Sequence, residues 1–312
     1  RPMNKQRIVI VAKRSTYCTN VLVRQDPAYL QLLAEHAPIA TNLVQAHEEH
    51  EATLARVLKI VEALGLDFRI IDAPWDPIDL RGVSLVLTVG GDGTLLVTSH
   101  QIGPETPILG INSAPSSSLG YFCGLLPDEC EEGLETALRG EIEATELARM
   151  EVRVDGRSVS RRVLNDALFC HTSPAATSRY VVEIAGDSES HKSSGFWIGP
   201  AAGSTAAQRS AGGRILPLDS RDLQFVVREP FSYEGRVRFA RMLVHDGQTL
   251  EVQSKMPDGK LFLDGPHTAY DIGFGVRVAF RRSPEPLHVL GLNGRQRRKK
   301  RPAPRPASKP AG

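Results

Sequence analysis

Cysteine is scarce and unpatterned in this sequence. Its four cysteines, Cys18, Cys123, Cys130 and Cys170, form no Cys-x-x-Cys pair, which leaves no zinc signature and no disulfide framework. No secretory leader precedes them, so reduced thiols and a cytoplasmic location are expected. Long hydrophobic runs are missing as well: the apolar stretches are strand-length, far short of the roughly 18 residues that a membrane span requires. Neither sign of charge dominates. The 38 Lys and Arg against 36 Asp and Glu leave a formal charge of +2, and much of the positive excess sits between Arg295 and Arg305. A body this near neutrality offers no broad footprint for nucleic acid. The Gly-x-Gly-x-x-Gly of a Rossmann fold is absent after the first apolar run, where Lys13-Arg14-Ser15-Thr16 stands instead. Ser15, Ser113 and Ser204 lack the Gly-x-Ser-x-Gly context of a hydrolase. Repeats are missing too, and a hydrophobic content of 41% with 24% charged residues excludes disorder over most of the length.

What is present divides in two. Over residues 7–139, apolar runs alternate with helical patterns. Arg7 to Ala12, Phe68 to Ile71, Leu85 to Val89 and Pro107 to Ile111 read as strands. Thr41 is the expected cap of a long helix whose stripe is Leu43, His47, Leu54, Leu58 and Val61, ending before Gly65. The same helix carries His47 and His50 among glutamates, a pattern expected of an exposed face rather than a metal pair. Apolar strands separated by helices predict an α/β domain with a parallel sheet, whose ligands bind beyond the strands' carboxyl ends. Asp92 and Asn112 fall at such ends. After an expected helix over Asp128 to Leu138 the texture changes near Gly140. Short β-rich runs such as Glu143 to Val154, Arg162 to His171 and Arg179 to Ile184 follow, punctuated by Asp155-Gly156, Asp246-Gly247, Asp258-Gly259 and Asp264-Gly265. Residues 140–293 are therefore expected to form a largely antiparallel all-β domain, and 294–312 a disordered, basic, Pro-rich tail.

The loop Gly90-Gly91-Asp92-Gly93-Thr94 directly follows the Leu85 to Val89 run. Alone it reads equally as a strand-to-helix turn capped by Asp92 or as a cradle whose amides approach a phosphate. Three further segments follow it in order: Gly110-Ile111-Asn112 ahead of Gly120-Tyr121-Phe122; Asn165-Asp166; and Ser194-Gly195 ahead of Ala202-Gly203-Ser204-Thr205-Ala206-Ala207 and Ser210-Ala211-Gly212-Gly213. Together they resemble the signature of the NAD kinase family, over about residues 85 to 290. Ser194 stands where the common pattern has Asp, and Ala202 and Ala207 where it has Thr and Tyr. These departures resemble the divergent branch that includes plant NADH kinases and, in part, animal mitochondrial NAD kinases.

The resemblance implies ATP-dependent phosphorylation of the 2′-hydroxyl of the adenosine ribose of NAD or NADH, with magnesium accompanying ATP and no assigned protein metal ligand. It implies Asp92 as the catalytic residue that orients the hydroxyl and accepts its proton. Gly90, Gly91, Gly93 and Thr94 would bind phosphates. Asn112, Tyr121, Asn165, Asp166, Ser194, Ala202, Gly203, Ser204, Thr205, Ala206 and Ala207 would bind the dinucleotide, with Tyr121 a substitute for the ring missing at Ala207. A homodimer or homotetramer is implied by the same route. Two alternatives stay open at this point: a lipid kinase of the diacylglycerol or sphingosine type, which shares only the first domain's loop, and a non-catalytic NADP(H) sensor. The choice between NAD and NADH, and between ATP and polyphosphate, has no visible reader in the sequence.

Overall fold

The computed structural model describes residues 6–232, 235 and 237–292; the expected tail, 294–312, lies outside them. The first layer is built from β1 (Arg7–Ala12), α1 (Pro27–Ala34), α2 (Pro38–Ala63), β2 (Asp67–Ile71), β3 (Val83–Gly90), α3 (Asp92–Ser99), β4 (Ile108–Asn112), β5 (Cys123–Leu125), α4 (Cys130–Leu138) and β6 (Ala144–Leu147). Strands β2, β1, β3 and β4 lie side by side and parallel, with β5 also on β4. From Leu85 to Gly90 every residue of β3 is buried, because both faces of the sheet are covered and successive side chains alternate between them. Ile8, Ile10, Leu85, Leu87, Leu109 and Ile111 meet Val57 and Val61 of α2 and Leu134 of α4. On the other face, Val9, Val11, Val86 and Ile108 share a core with Leu95 of α3.

Two expectations for α2 are corrected. The helix begins at Pro38, whose fixed φ suits a first helical position, so Thr41 lies inside its first turn. Its buried residues include His50, Thr53, Val57 and Val61, and His50 is therefore not on an exposed face. Polar residues are tolerated there because they are bonded: His50 Nδ1 lies 2.8 Å from Ser113 Oγ, and Thr53 Oγ1 donates to the Ser113 carbonyl at 3.0 Å. Burial lowers the His50 pKa, which favours the neutral ring. His47 is half-buried, stacked on Tyr17 and 2.8 Å from Ser15 Oγ. Among the described residues no helix is long and apolar enough to cross a membrane.

The second layer comprises β7 (Met150–Val154), β8 (Arg157–Val163), β9 (Ala167–His171), β10 (Ser178–Ile184), β11 (Asp187–Ser193), β12 (Phe196–Gly199), the four-residue α5 (Ala207–Ser210), β13 (Leu223–Val227), β14 (Arg241–Val244), β15 (Thr249–Ser254), β16 (Gly259–Leu263), β17 (Thr268–Ile272) and β18 (Arg277–Arg282). They form two antiparallel six-stranded sheets, ordered β11-β10-β15-β18-β7-β8 and β14-β13-β12-β9-β16-β17, packed across one apolar core. The chain then closes with β19 (Leu287–Leu290). A division at 139/140 is thus one of sequence order. In space β6 and β19, both beyond it, return to the first sheet, with β19 parallel to β4 and β6 antiparallel to β19. Strands β11 and β17 escape the sequence pattern because each is an edge, with little apolar content demanded of it; β14, also an edge, escapes it although it is Arg-Met-Leu-Val.

Phe196 centres the second core, its ring 5.2 Å from Phe169, 4.8 Å from Phe225, 5.2 Å from Tyr180 and 5.9 Å from Phe280. Phe196→Ala is expected to cost about 3 to 5 kcal/mol in urea unfolding. Phe274→Ala, at a residue 75% exposed, should stay within about 0.5 kcal/mol of the wild type.

Candidate functional site

Strand β3 runs out at Gly90 and α3 begins two residues later, at Asp92. The turn between them is tight enough to require glycine twice. A Cβ at Gly90 would overlap Thr94 Oγ1, and one at Gly91 would press on Ser118 Oγ, whereas one at Gly93 would meet nothing within 4 Å. Gly93 is exposed, leaving backbone open on that side of the loop. Asp92 Oδ1 accepts the Phe122 N–H at 2.7 Å, which fixes the carboxylate at the positive end of α3. Asn112, the last residue of β4, donates from Nδ2 to the Ser118 carbonyl at 2.9 Å. Gly120 packs on that amide with a φ of +57°. Residues 113–122 therefore fold back over the glycine loop. Asn112 Oδ1 is buried and has no hydrogen-bond partner in the protein. Tyr121 is half-buried, with its ring edge-on to Phe122 at 5.1 Å.

The second-layer half is organised by a residue that the sequence reading treated only as part of a turn. The Asp264 carboxylate, 1% exposed, accepts the backbone N–H groups of Leu164, Asn165 and Asp166 at 2.7, 2.7 and 2.9 Å. Its own N–H donates to the Asp166 carbonyl at 2.9 Å. The Asn165 carbonyl accepts from Gln208 Nε2 at 3.1 Å, and Gln224 Nε2 supports Gln208 Oε1 at 3.0 Å. A Cβ at Gly203 or Gly199 would collide with that same carbonyl, which explains glycine at both positions. With its backbone fully engaged, Asn165 leaves a buried Oδ1 that has no partner in the protein. Burial, reinforced by the nearby Asp264 carboxylate, pushes the Asp166 pKa up to about 7.

The remaining expected residues fall in two places. Ala202, Gly203 and Ser204 are buried beside this turn, and Ser204 Oγ accepts the Leu216 N–H at 3.0 Å. Residues Ala201–Thr205 form a 3-10 turn and α5 starts only at Ala207, with four residues and little dipole. Ser194 is elsewhere. It lies just before β12, its N–H on the Arg228 carbonyl at 3.0 Å, on the order of 15 Å along the strand from Gly199.

Helix α3 joins the two halves. Leu95 shares a core with Phe122, Leu164 and Ala202. Beyond its last turn, His100 Nε2 lies 2.9 Å from Asp264 Oδ2. Arg149, wholly buried, donates to the carbonyls of Ser99 and Ile102 at 3.0 and 2.9 Å, and to those of Glu285 and Pro286 at 2.7 and 3.0 Å. Sequence reasoning missed His100 and Arg149 entirely. The only local signal for Asp264 was its glycine neighbour.

Residues 12–142 match the family model described as the ATP-NAD kinase N-terminal domain. A protein of Oryza sativa subsp. japonica named "Probable NADH kinase" is 31% identical over 248 residues, covering 72% of this chain and 76% of that protein. The NADH kinase of Arabidopsis thaliana is 32% identical over 256 residues, covering 70% and 78%. The fold is shared with the crystal structure of yeast NADH kinase complexed with NADH, at a TM-score of 0.73, 15% identity and coverage of 99% of this chain and 91% of that one. It is shared also with an NAD kinase from Archaeoglobus fulgidus in complex with ATP, at 0.70, 19%, 94% and 96%. A glycine loop presenting Asp92, a second-layer turn presenting Asn165 and Asp166, and relatives matched across both layers lead to one conclusion: the chain belongs to the NAD kinase family, on its plant NADH kinase-like side.

Proposed function

We propose that this chain is an NAD(H) kinase, moving the γ-phosphoryl group of ATP to the 2′-hydroxyl of the adenosine ribose of NAD or NADH to give NADP or NADPH. The observation that carries this reading is a pair of buried asparagine carboxamide oxygens without protein partners, one on Asn112, which pairs with Gly90 of the glycine loop, and one on Asn165, in the turn held by Asp264. Buried acceptors are costly unless something donates to them, and the exocyclic amine and hydroxyls of an adenosine are such donors. We assign Asn112, Tyr121, Asn165, Asp166 and the Ala202 to Ala207 segment to the dinucleotide, and Gly90, Gly91, Gly93 and Thr94 to phosphate.

In the proposed reaction the ribose 2′-oxygen attacks the γ-phosphorus, the bond from that phosphorus to the β,γ-bridging oxygen breaks, and ADP departs with the bond's electron pair. The hydroxyl proton passes to Asp92. Phosphoryl transfer of this kind asks the protein for alignment and charge neutralisation more than for covalent work. Held through Oδ1 by the Phe122 N–H, Asp92 keeps a fixed direction while it orients the hydroxyl. The donor set suits magnesium brought in with ATP: one carboxylate beside an open glycine edge, which matches an ion that retains waters and phosphate ligands. That ion would offset negative charge between Asp92 and the phosphates.

Ser194 joins the proposed dinucleotide site only across a subunit boundary, given its separation along β12, which supports a homodimer or homotetramer. Helix α1, which buries no residue of its own, supports assembly as well. The four cysteines are free, in keeping with a reducing, cytoplasmic setting.

Purified chain supplied with magnesium, ATP and either dinucleotide should form NADP or NADPH, read by a cycling assay specific for the 2′-phosphate; lipid phosphorylation without it would contradict the proposal. Asp92→Asn should cut turnover by about 100-fold or more while leaving the urea midpoint unchanged, and wild-type turnover in that variant would remove Asp92 from its role. Asp166 supplies a pH prediction. Folded chain holds a proton near pH 7 that an unfolded aspartate, with an ordinary value of 3.8, releases far earlier. The resulting stabilisation is complete below about pH 4 and disappears as pH rises through 7. Between pH 4.5 and 8 the ligand-free wild type should therefore lose about 1 to 4 kcal/mol relative to Asp166→Asn in urea titrations; parallel pH dependences would contradict it.

A further inference from the structure

We infer that His100 and Asp264 form a positioning pair that sets the Asn165–Asp166 turn on the helix carrying Asp92, an inference that rests on the kinase reading above. Helix α3, Asp92–Ser99, is about 12 Å long. Its first residue is the proposed catalytic carboxylate, and the residue after its last is His100. From His100 the path to the dinucleotide turn is one contact long. The ring Nε2 is 2.9 Å from Asp264 Oδ2, and Asp264 holds the three consecutive N–H groups of Leu164, Asn165 and Asp166.

The arrangement is specific in its donors. One carboxylate, 1% exposed, receives three amide hydrogens and the imidazole, with Oδ1 taking Asn165 and Asp166 and Oδ2 taking Leu164 and His100. A carboxylate buried this deeply is tolerated only when it is fully bonded. Removing His100 therefore leaves Oδ2 one donor short and removes the polar tie between the turn's carboxylate and the end of α3. The other second-layer contacts at this end of the helix come from Arg149 and from Arg162, whose Nη1 donates to the His100 carbonyl at 3.3 Å. Both favour the negative pole of α3, and both bind helix or loop carbonyls without touching residues 164–166. Among the described residues the His100–Asp264 pair is the polar contact between this end of the helix and the carboxylate holding that turn, beside the apolar packing of Leu95 with Leu164.

His100 is also the accessible half of the pair, its side chain 26% exposed, so truncating it opens no deep cavity. Asp264 variants strip three backbone bonds at once and threaten folding. The test accordingly rests on His100→Ala and His100→Gln, studied in the full chain with magnesium and ATP. Misplacing the ribose relative to Asp92 lowers turnover as well as dinucleotide affinity. His100→Ala should raise the KM for NAD or NADH about tenfold and lower kcat about tenfold, with the KM for ATP within about twofold; its urea midpoint should fall, because a buried carboxylate loses a donor, while the chain stays folded under assay conditions. His100→Gln, whose amide N–H reaches toward the same oxygen, should recover at least half of the loss on a logarithmic scale. Equilibrium dialysis with radiolabelled NAD should show the same weakening in the absence of ATP. Wild-type constants in His100→Ala, equal defects in both variants, or a loss matched by loss of folded protein would overturn the inference. If instead the wild type itself makes no NADP(H), the kinase reading fails, while the dialysis still decides whether His100 governs dinucleotide binding.

Discussion

A carboxylate that is sealed from water must be answered by donors, and the Asp264 carboxylate is answered by the backbone of the site itself. Three consecutive amides of the Leu164 to Asp166 turn and the His100 ring converge on it. Much of the rest follows from that convergence. The turn is held on the α3 end of the first layer, the Asn165 carbonyl is directed at Gln208, and the tight approach of the Gly203 segment excludes any side chain there. At the opposite end of α3 the same helix starts with Asp92 in a turn where Thr94 leaves no room for a Cβ at Gly90. One short helix thus runs from Asp92, the proposed site of phosphoryl transfer, to His100, which meets the carboxylate holding the proposed dinucleotide turn.

The polar interior divides into groups that the protein satisfies and groups that it does not. Arg149 is wholly buried, yet its four hydrogen bonds go to the carbonyls of Ser99, Ile102, Glu285 and Pro286. His50, Gln208 and Gln224 are similarly matched. Such networks specify one arrangement of the two layers, since each member would be costly in any other. Among the described residues four buried side-chain atoms lack a hydrogen-bond partner in the protein, on Asn112, Asn165, Thr145 and His191, and the first two are the carboxamide oxygens of the proposed site. Both belong to segments that the family resemblance assigns to substrate, and the two lines of argument do not depend on each other.

The parallel sheet was legible because burial on both faces leaves β1, β3 and β4 almost no polar residues to blur the pattern. The glycine loop was legible because its steric demand is local: Gly90 is fixed by Thr94, four positions away. Edge strands β11 and β17 were not, since a strand with one neighbour and one wet side mixes polar residues into its run. Nor was the return of β19 to the first sheet, a pairing with β4 across most of the chain. His100, Arg149 and Asp264 were illegible for a related reason. A histidine after a helix, an arginine in a strand and an Asp-Gly turn are each ordinary, and their meaning appears only where separate segments meet. His50 misled because its neighbours Glu48, Glu49 and Glu51 suggest a wet face, while Ser113, 63 residues on, gives it a buried partner.

The central claim is that the Asn165–Asp166 turn delivers the adenosine ribose to Asp92. A crystal structure of the chain with NADP(H) tests it most directly. The account predicts a donor of the nucleoside within hydrogen-bond distance of Asn165 Oδ1 and the 2′-oxygen facing the Asp92 carboxylate. A dinucleotide bound with Asn165 Oδ1 still unpartnered, or with its 2′-position turned away from Asp92, would contradict it.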